Sequence, residues 1–223
     1  MGRRSSNKQQ GGGGSEVAPV RLHIDPERPA PRKLEPAITA LRRGHVIVYP
    51  TDTGYAFGCA ISSPRGIAML RRLKNMGERD PKPLTMLVGS LADIGRYGHM
   101  GNAAFRIVRR LLPGPYTMVV RATSEVPRGM KNKRQEVGVR VPDHPVCALL
   151  GELLGEPLLT ASVTHFEDEQ FELQEPEEIL RRHARELSVV VDVGPLWPDP
   201  STVLRFLDDE MEVLREGKGP VPD

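Results

Sequence analysis

The chain has 223 residues, a net charge of +2 at pH 7, 39% hydrophobic residues and only 4% aromatic ones, so one domain with an aliphatic core fits it. Its two cysteines, Cys59 and Cys147, lie in apolar runs without paired spacing, which argues against a disulfide framework or a metal site and for a reducing compartment. No apolar stretch approaches the roughly 18–20 residues of a membrane span, and the N-terminus lacks the apolar core of a secretory signal, so a cytoplasmic protein that does not enter membranes is expected.

Residues 1–20 begin MGRRSSNKQQGGGGSEVAP, too polar and glycine-rich to bury surface, and read as a disordered leader to a domain over 21–223. Charge is unevenly spread. Residues 65–140 carry 16 Lys and Arg against 5 Asp and Glu, whereas residues 141–223 carry 6 against 19. If the basic part shares one face it would draw polyanions; if the two parts meet in the fold they neutralise each other.

Arg21–Ile24 fits a short edge strand, and Leu34–Arg43 has helical apolar spacing stopped by Gly44. Val46–Ile61, VIVYPTDTGYAFGCAI, is an apolar β-type run broken at Pro50, which cannot donate to a ladder. It delivers Thr51, Asp52, Thr53 and Tyr55 to a sheet edge, where open α/β proteins hold ligands. Those groups suit a ligand with an ammonium and a hydroxyl; a polar turn with Asp52 in an Asx-turn is the alternative.

Ser63 and Pro64 read as the cap and first residue of a helix ending near Lys74. The loop NMGERDPKPL follows, either a phosphate clamp or solvated charge, and then the buried strand Leu84–Val88. Ser90 caps a short helix, Asn102–Leu112 is another, and PGPYTMVVRA turns into a strand at Pro113–Ala122. After the basic loop RGMKNKRQ, the apolar strand VGVRVPDHP places Arg140 between valines. A cation there requires an anion, either a structural partner or a substrate. His144–Leu154 reads as a helix, Pro157–Val163 as a strand ending in hydroxyls, Glu177–Glu186 as a helix, Leu187–Val193 as a strand, and PSTVLRF and MEVLREG as closing strands. Alternating strands and helices give one α/β domain with a mixed sheet.

The wording is more specific than these patterns. Pro50–Gly58, PTDTGYAFG, resembles the P-T-[DE]-T-x-Y-[GA]-[LF]-G signature of the YrdC-like domain family, which includes the threonylcarbamoyl-AMP synthases; Gly54, Ala56 and Phe57 look most like its YciO branch. Lys74, Lys82, Pro83 and Leu84 match the frame of a Lys-x-Arg and Pro-Leu motif, with Met76 at the arginine position and Arg79 a stand-in. PGPYT, VGVRVPDHP and PSTV also match, and Thr160 and Ser162 keep two hydroxyls of Ser-x-Ser-x-Asn while Thr164 replaces the amide.

The resemblance implies a twisted open sheet with a concave basic groove. It implies synthesis of threonylcarbamoyl-AMP from ATP, L-threonine and bicarbonate for tRNA A37 modification, with Mg2+ carried on ATP and neither a catalytic nucleophile nor a dedicated metal site. Thr51, Thr53, Tyr55, Arg140 and Ser201 would hold threonine and bicarbonate. Lys74, Arg79, Lys82, Thr117, Thr160, Ser162 and Arg215 would hold the nucleotide. The rival is a YciO-like module that binds nucleotide or double-stranded RNA in the groove with weak or no synthesis.

Overall fold

The computed structural model describes residues 19–77, 84–163, 173–207 and 209–222. The expected leader up to residue 18, together with Arg79, Lys82, Pro83 and Thr164, lies outside the described residues.

The apolar runs become strands β1 (Val20–His23), β2 (Val46–Thr51), β3 (Gly54–Ala60), β4 (Thr85–Leu87), β5 (Gly98–His99) and β6 (Tyr116–Ala122). Then come β7 (Glu136–Arg140), β8 (Leu158–Ser162), β9 (Leu187–Asp192), β10 (Thr202–Leu207) and β11 (Glu210–Arg215). The helices are α1 (Pro31–Arg42), α2 (Pro64–Leu73), α3 (Leu91–Tyr97), α4 (Asn102–Leu111), α5 (Pro145–Leu154) and α6 (Pro176–Arg182). All strands join one mixed sheet in the order β1-β9-β2-β3-β8-β4-β7-β6-β10-β11, with β5 beside β6.

The run at 46–61 is a hairpin rather than one interrupted strand. β2 and β3 pair antiparallel from Ile47–Gly58 to Thr51–Gly54. The parallel pairing of β2 to β9 stops at Val48, so Pro50 sits beyond that ladder while remaining opposite Tyr55. All thirteen residues of the two strands are buried, which explains the near-continuous apolar character of the sequence there.

Side-chain alternation divides the sheet into two faces. On one, Val48, Phe57, Met86, Met118 and Phe206 pack with Leu70 of α2, Ile94 of α3, Val108 of α4 and Ile179 of α6. On the other, Ile47, Tyr49, Ala56, Leu158 and Val191 pack with Leu34 and Leu41 of α1 and Cys147 and Leu150 of α5. Neither apolar cluster takes in Thr117, Val119, Gly138, Arg140 or Arg205, which alternate onto that second face from β6, β7 and β10. Helices therefore cover one half of this face, and the other half carries the polar Thr117, Arg140 and Arg205 beside Val119 and Gly138.

The caps anticipated in the sequence form: Ser63 Oγ accepts from the Gly66 N–H at 3.0 Å, and Ser90 forms a capping box with Asp93. An unanticipated cap starts α5, where His144 Nδ1 accepts from the Val146 N–H at 3.2 Å and Pro145 follows at the first helical position. An acceptor nitrogen must be unprotonated, and burial pulls the His144 pKa below its ordinary value. The unfolded chain then binds the extra proton. The histidine's contribution is present above about pH 6.5 and is lost as the pH falls from there toward the folded value. A Tm series from pH 7.5 to 5 should fall more steeply for the wild type than for His144→Asn, which caps without titrating.

Candidate active site

The hairpin turn between β2 and β3 is locked by its own hydroxyls. Thr51 Oγ1 donates to the Gly54 carbonyl at 2.7 Å and accepts from the Thr53 N–H at 3.1 Å. With the Thr51 proton spent on Gly54, the 3.1 Å contact between the two threonine hydroxyls has Thr53 as donor. Gly54 has φ +103°, and a Cβ there would lie 2.6 Å from Gln174 Oε1, the atom that accepts from the Tyr55 N–H. Only glycine fits that turn without strain.

Arg140, at the end of β7, reaches this turn across the uncovered part of the sheet. Its Nη2 donates to Asp52 Oδ1 and to Thr53 Oγ1, both at 2.9 Å. The Asp52 side chain is 8% exposed and that of Arg140 10%. Asp52 Oδ2 accepts from the Asp143 N–H at 3.1 Å, so in this state both carboxylate oxygens have protein donors and neither is reserved for a ligand ammonium. Arg140 Nε is buried without a hydrogen-bond partner among the described residues. A buried N–H on a cation is costly to leave unmet, and it marks where an anion would be welcome.

The second group lies at the starts of β6 and β10. Thr117 Oγ1 and Ser201 Oγ are 2.9 Å apart, and Arg215, at the end of β11, donates to the Ser201 carbonyl at 2.7 Å and to its hydroxyl at 3.2 Å. Burial, then the neighbouring charge of Arg140, lowers the Arg215 pKa. Gly138 is the residue of β7 between Thr85 and Thr117: a Cβ there would come 2.6 Å from Thr85 Oγ1 and 3.3 Å from Thr117 Cγ2.

On β8, Thr160 accepts from the buried Tyr49 hydroxyl at 2.6 Å and keeps its own proton to give. Lys74, the C-cap of α2, donates to the Ser162 carbonyl at 3.1 Å. Thr51, Thr53, Arg140, Thr117, Ser201 and Arg215 thus fall into two hydrogen-bonded groups, while Thr160 and Ser162 belong to the interior strand β8 and Lys74 reaches the end of that strand from α2. Tyr55 is built differently. Its hydroxyl donates to the Gly194 carbonyl at 2.8 Å and accepts from the Val193 N–H at 3.0 Å, and its ring belongs to the apolar cluster on the opposite face. Here it ties the hairpin to the end of β9. Arg79 and Lys82 lie outside the described residues.

Tyr49 and Lys218 also belong to this region and carry no sequence signal: one is a tyrosine inside an apolar strand, the other a lysine between two glycines. Met76 is half-buried and packs against the apolar cluster, so no charge is offered from that position. The basic residues of the middle third are divided between the faces. Arg65 and Arg72 of α2 and Arg106, Arg109 and Arg110 of α4 are exposed on helices packed against the face opposite Arg140. Among the described residues no three His, Cys, Asp or Glu side chains gather to hold a metal ion, and no helix is long and apolar enough to cross a membrane.

An open α/β sheet whose uncovered half presents threonines, serines and arginines, entered by a P-T-D-T hairpin, defines a YrdC-like domain. The chain belongs to the Sua5/YciO/YrdC family, whose model, described as telomere recombination, matches residues 39–217. It is 36% identical over 201 residues to the Escherichia coli protein YciO, itself uncharacterised, covering 90% of this chain and 96% of that one. The crystal structure of E. coli YciO superposes with a TM-score of 0.84 over 91% of this chain and 97% of that one, at 34% identity. The threonylcarbamoyl-AMP synthase of Bos taurus is 30% identical over 186 residues, covering 83% of this chain and 65% of the synthase. The fold of Pyrococcus abyssi Sua5, solved with L-threonine, matches with a TM-score of 0.77 at 21% identity, over 89% of this chain and 57% of that one.

Proposed function

We propose that the chain is an ATP-dependent L-threonylcarbamoyladenylate synthase of the cytoplasm, acting toward tRNA A37 modification, with a rate below that of members with intact motifs. The observation that carries this reading is Arg140, a buried cation bonded to Asp52 and Thr53 and with an N–H to spare, facing the Thr117–Ser201–Arg215 group. In the reaction, bicarbonate and the threonine amine give a carbamate. Its oxygen attacks the α-phosphorus of ATP and pyrophosphate leaves. No protein nucleophile is needed: the chain has to hold two anions together and stabilise charge on phosphate oxygens. Arg140 with Thr53 and Ser201 is suited to the carbamate or carboxylate, and Arg215 and Thr117 to the nucleotide, with Lys74 and Ser162 beside them at the end of β8. Mg2+ would enter on ATP, held through phosphate oxygens and water.

The purified chain with ATP, L-threonine and bicarbonate should form threonylcarbamoyl-AMP detectable by mass spectrometry; absence of the adenylate at saturating substrates overturns the reading. An apolar Met76 and Thr164 in place of an amide each remove an interaction on the order of 1.5–3 kcal/mol, or roughly ten- to hundredfold in rate. Met76→Arg combined with Thr164→Asn should therefore raise turnover. An unmodified chain as fast as the mammalian synthases would contradict this account.

The apolar packing of Met76 favours a second reading, a nucleotide- or double-stranded-RNA-binding protein with little synthesis. Its RNA-binding groups would meet phosphates. Lys131→Ala, Lys133→Ala and Arg134→Ala together should reduce the salt slope of RNA binding by about one for each phosphate no longer neutralised. Lys131 Nζ already donates to the Thr123 carbonyl at 2.7 Å, so less of the change is expected from that residue. An unchanged slope rejects this surface.

A further inference from the structure

Where the region matched by the family model ends, Gly217–Pro220 runs as a strap across the start of β10. The Gly217 N–H donates to Thr202 Oγ1 at 3.0 Å, the Lys218 N–H to the Pro200 carbonyl at 2.8 Å, and the Tyr116 hydroxyl to the Pro220 carbonyl at 3.0 Å. Thr202 Oγ1 in turn donates to the Gly219 carbonyl. Gly219 is buried against the Tyr116 ring, where a side chain would collide with it. The backbone on both sides of Lys218 is therefore fixed, and its exposed side chain leads back over the site to the hairpin turn.

There Lys218 Nζ donates to the main-chain carbonyl of Asp52 at 2.6 Å. The carboxylate of the same residue is occupied by Arg140 and the Asp143 N–H. Among the described residues Lys218 has no carboxylate within ion-pair distance, so a full positive charge rests on a neutral carbonyl. Its strap begins two residues after Arg215, which binds Ser201, and it ends at Asp52, which binds Arg140. Three cations from two chain segments thus meet at Asp52 and Ser201, and among the described residues the ion pair they make there is the one between Arg140 and Asp52.

We infer that Lys218 is a phosphate-binding residue for the nucleoside triphosphate, carried to the site by the C-terminal strap and resting on the Asp52 carbonyl until the nucleotide arrives. This rests on the synthase reading above. A lysine is a compact charge with three donors that can leave one carbonyl and meet polyphosphate oxygens without a fixed geometry, whereas the planar forks of Arg140 and Arg215 are already oriented by the fold. The strap makes the ammonium available at small entropic cost, because only the side chain moves.

The test is equilibrium binding of ATP, AMP and L-threonine to the full chain by calorimetry, with wild type, Lys218→Met and Lys218→Arg. Lys218→Met should weaken ATP about tenfold or more while AMP and L-threonine stay within about twofold, and Lys218→Arg should recover most of the ATP affinity. If wild type binds ATP and Lys218→Met binds it equally well, with or without a lowered Tm, the lysine is only a tether: this assignment falls and the synthase reading stands. Loss of L-threonine binding with ATP unaffected also overturns it. A wild type that binds no ATP sinks the synthase reading itself, and the assignment with it.

Discussion

Arg140→Lys should lower threonylcarbamoyl-AMP formation by roughly ten- to hundredfold while the protein stays folded. Lysine keeps the charge but offers one ammonium where the guanidinium now spans Asp52 Oδ1 and Thr53 Oγ1 and still holds an unmet Nε–H. Removing one or two charge-assisted hydrogen bonds, each on the order of 1.5–3 kcal/mol, sets that range. The effect should fall on turnover and on threonine or bicarbonate dependence more than on AMP binding, which the proposed function assigns to Thr117 and Arg215 on the other strands. The measurement is steady-state kinetics beside a thermal melt. A variant with wild-type kinetics and a sharply lower Tm would make Arg140 a structural ion-pair partner and remove the observation on which the proposed function stands.

The strand pattern carried most of the fold. Leu187–Val193, Leu84–Val88 and the closing pair near the C-terminus appear where short apolar and β-branched runs put them, because a buried strand must be apolar whatever its neighbours are. Pairing order was not legible. β1 and β9 lie together although most of the chain, from His23 to Leu187, runs between them, and nothing local in either strand specifies the other. The hairpin at 46–60 was hidden for the same reason: two fully buried strands joined by Asp52 and Thr53 read as one apolar run.

The site was legible as residue types and obscure as partnerships. Arg140 in an apolar strand announced that an anion was required, but not that Asp52, 88 residues earlier, supplies one. Tyr55 looked like a ligand group because a tyrosine beside threonines at a sheet edge offers a hydroxyl. That hydroxyl is spent on Val193 and Gly194, brought close only by β9 crossing beside β2. Charge counted along residues 65–140 left open whether the basic residues share one face. Helical periodicity puts the arginines of α2 and α4 on outer surfaces over one face of the sheet, while strand alternation puts Arg140 on the other.

Asp52→Ala should be the most destabilising change near the site. It leaves the Arg140 guanidinium, 10% exposed, without its carboxylate, and it removes the acceptor of the Asp143 N–H beside the cap of α5. Breaking one side of a buried ion pair costs on the order of 3–5 kcal/mol, most of it from the uncompensated charge. Removing that charge as well should restore much of the loss, so Asp52→Ala with Arg140→Met should be clearly more stable than the sum of the single variants predicts. The coupling, read from denaturant midpoints of the four proteins, should exceed about 1 kcal/mol in magnitude, the range of groups that touch. Activity should behave oppositely. If Arg140 serves only to neutralise Asp52, the double variant regains turnover with its stability; if Arg140 holds a substrate anion, the double variant is stable and inactive. Recovery of both together would sink the assignment of Arg140 to substrate.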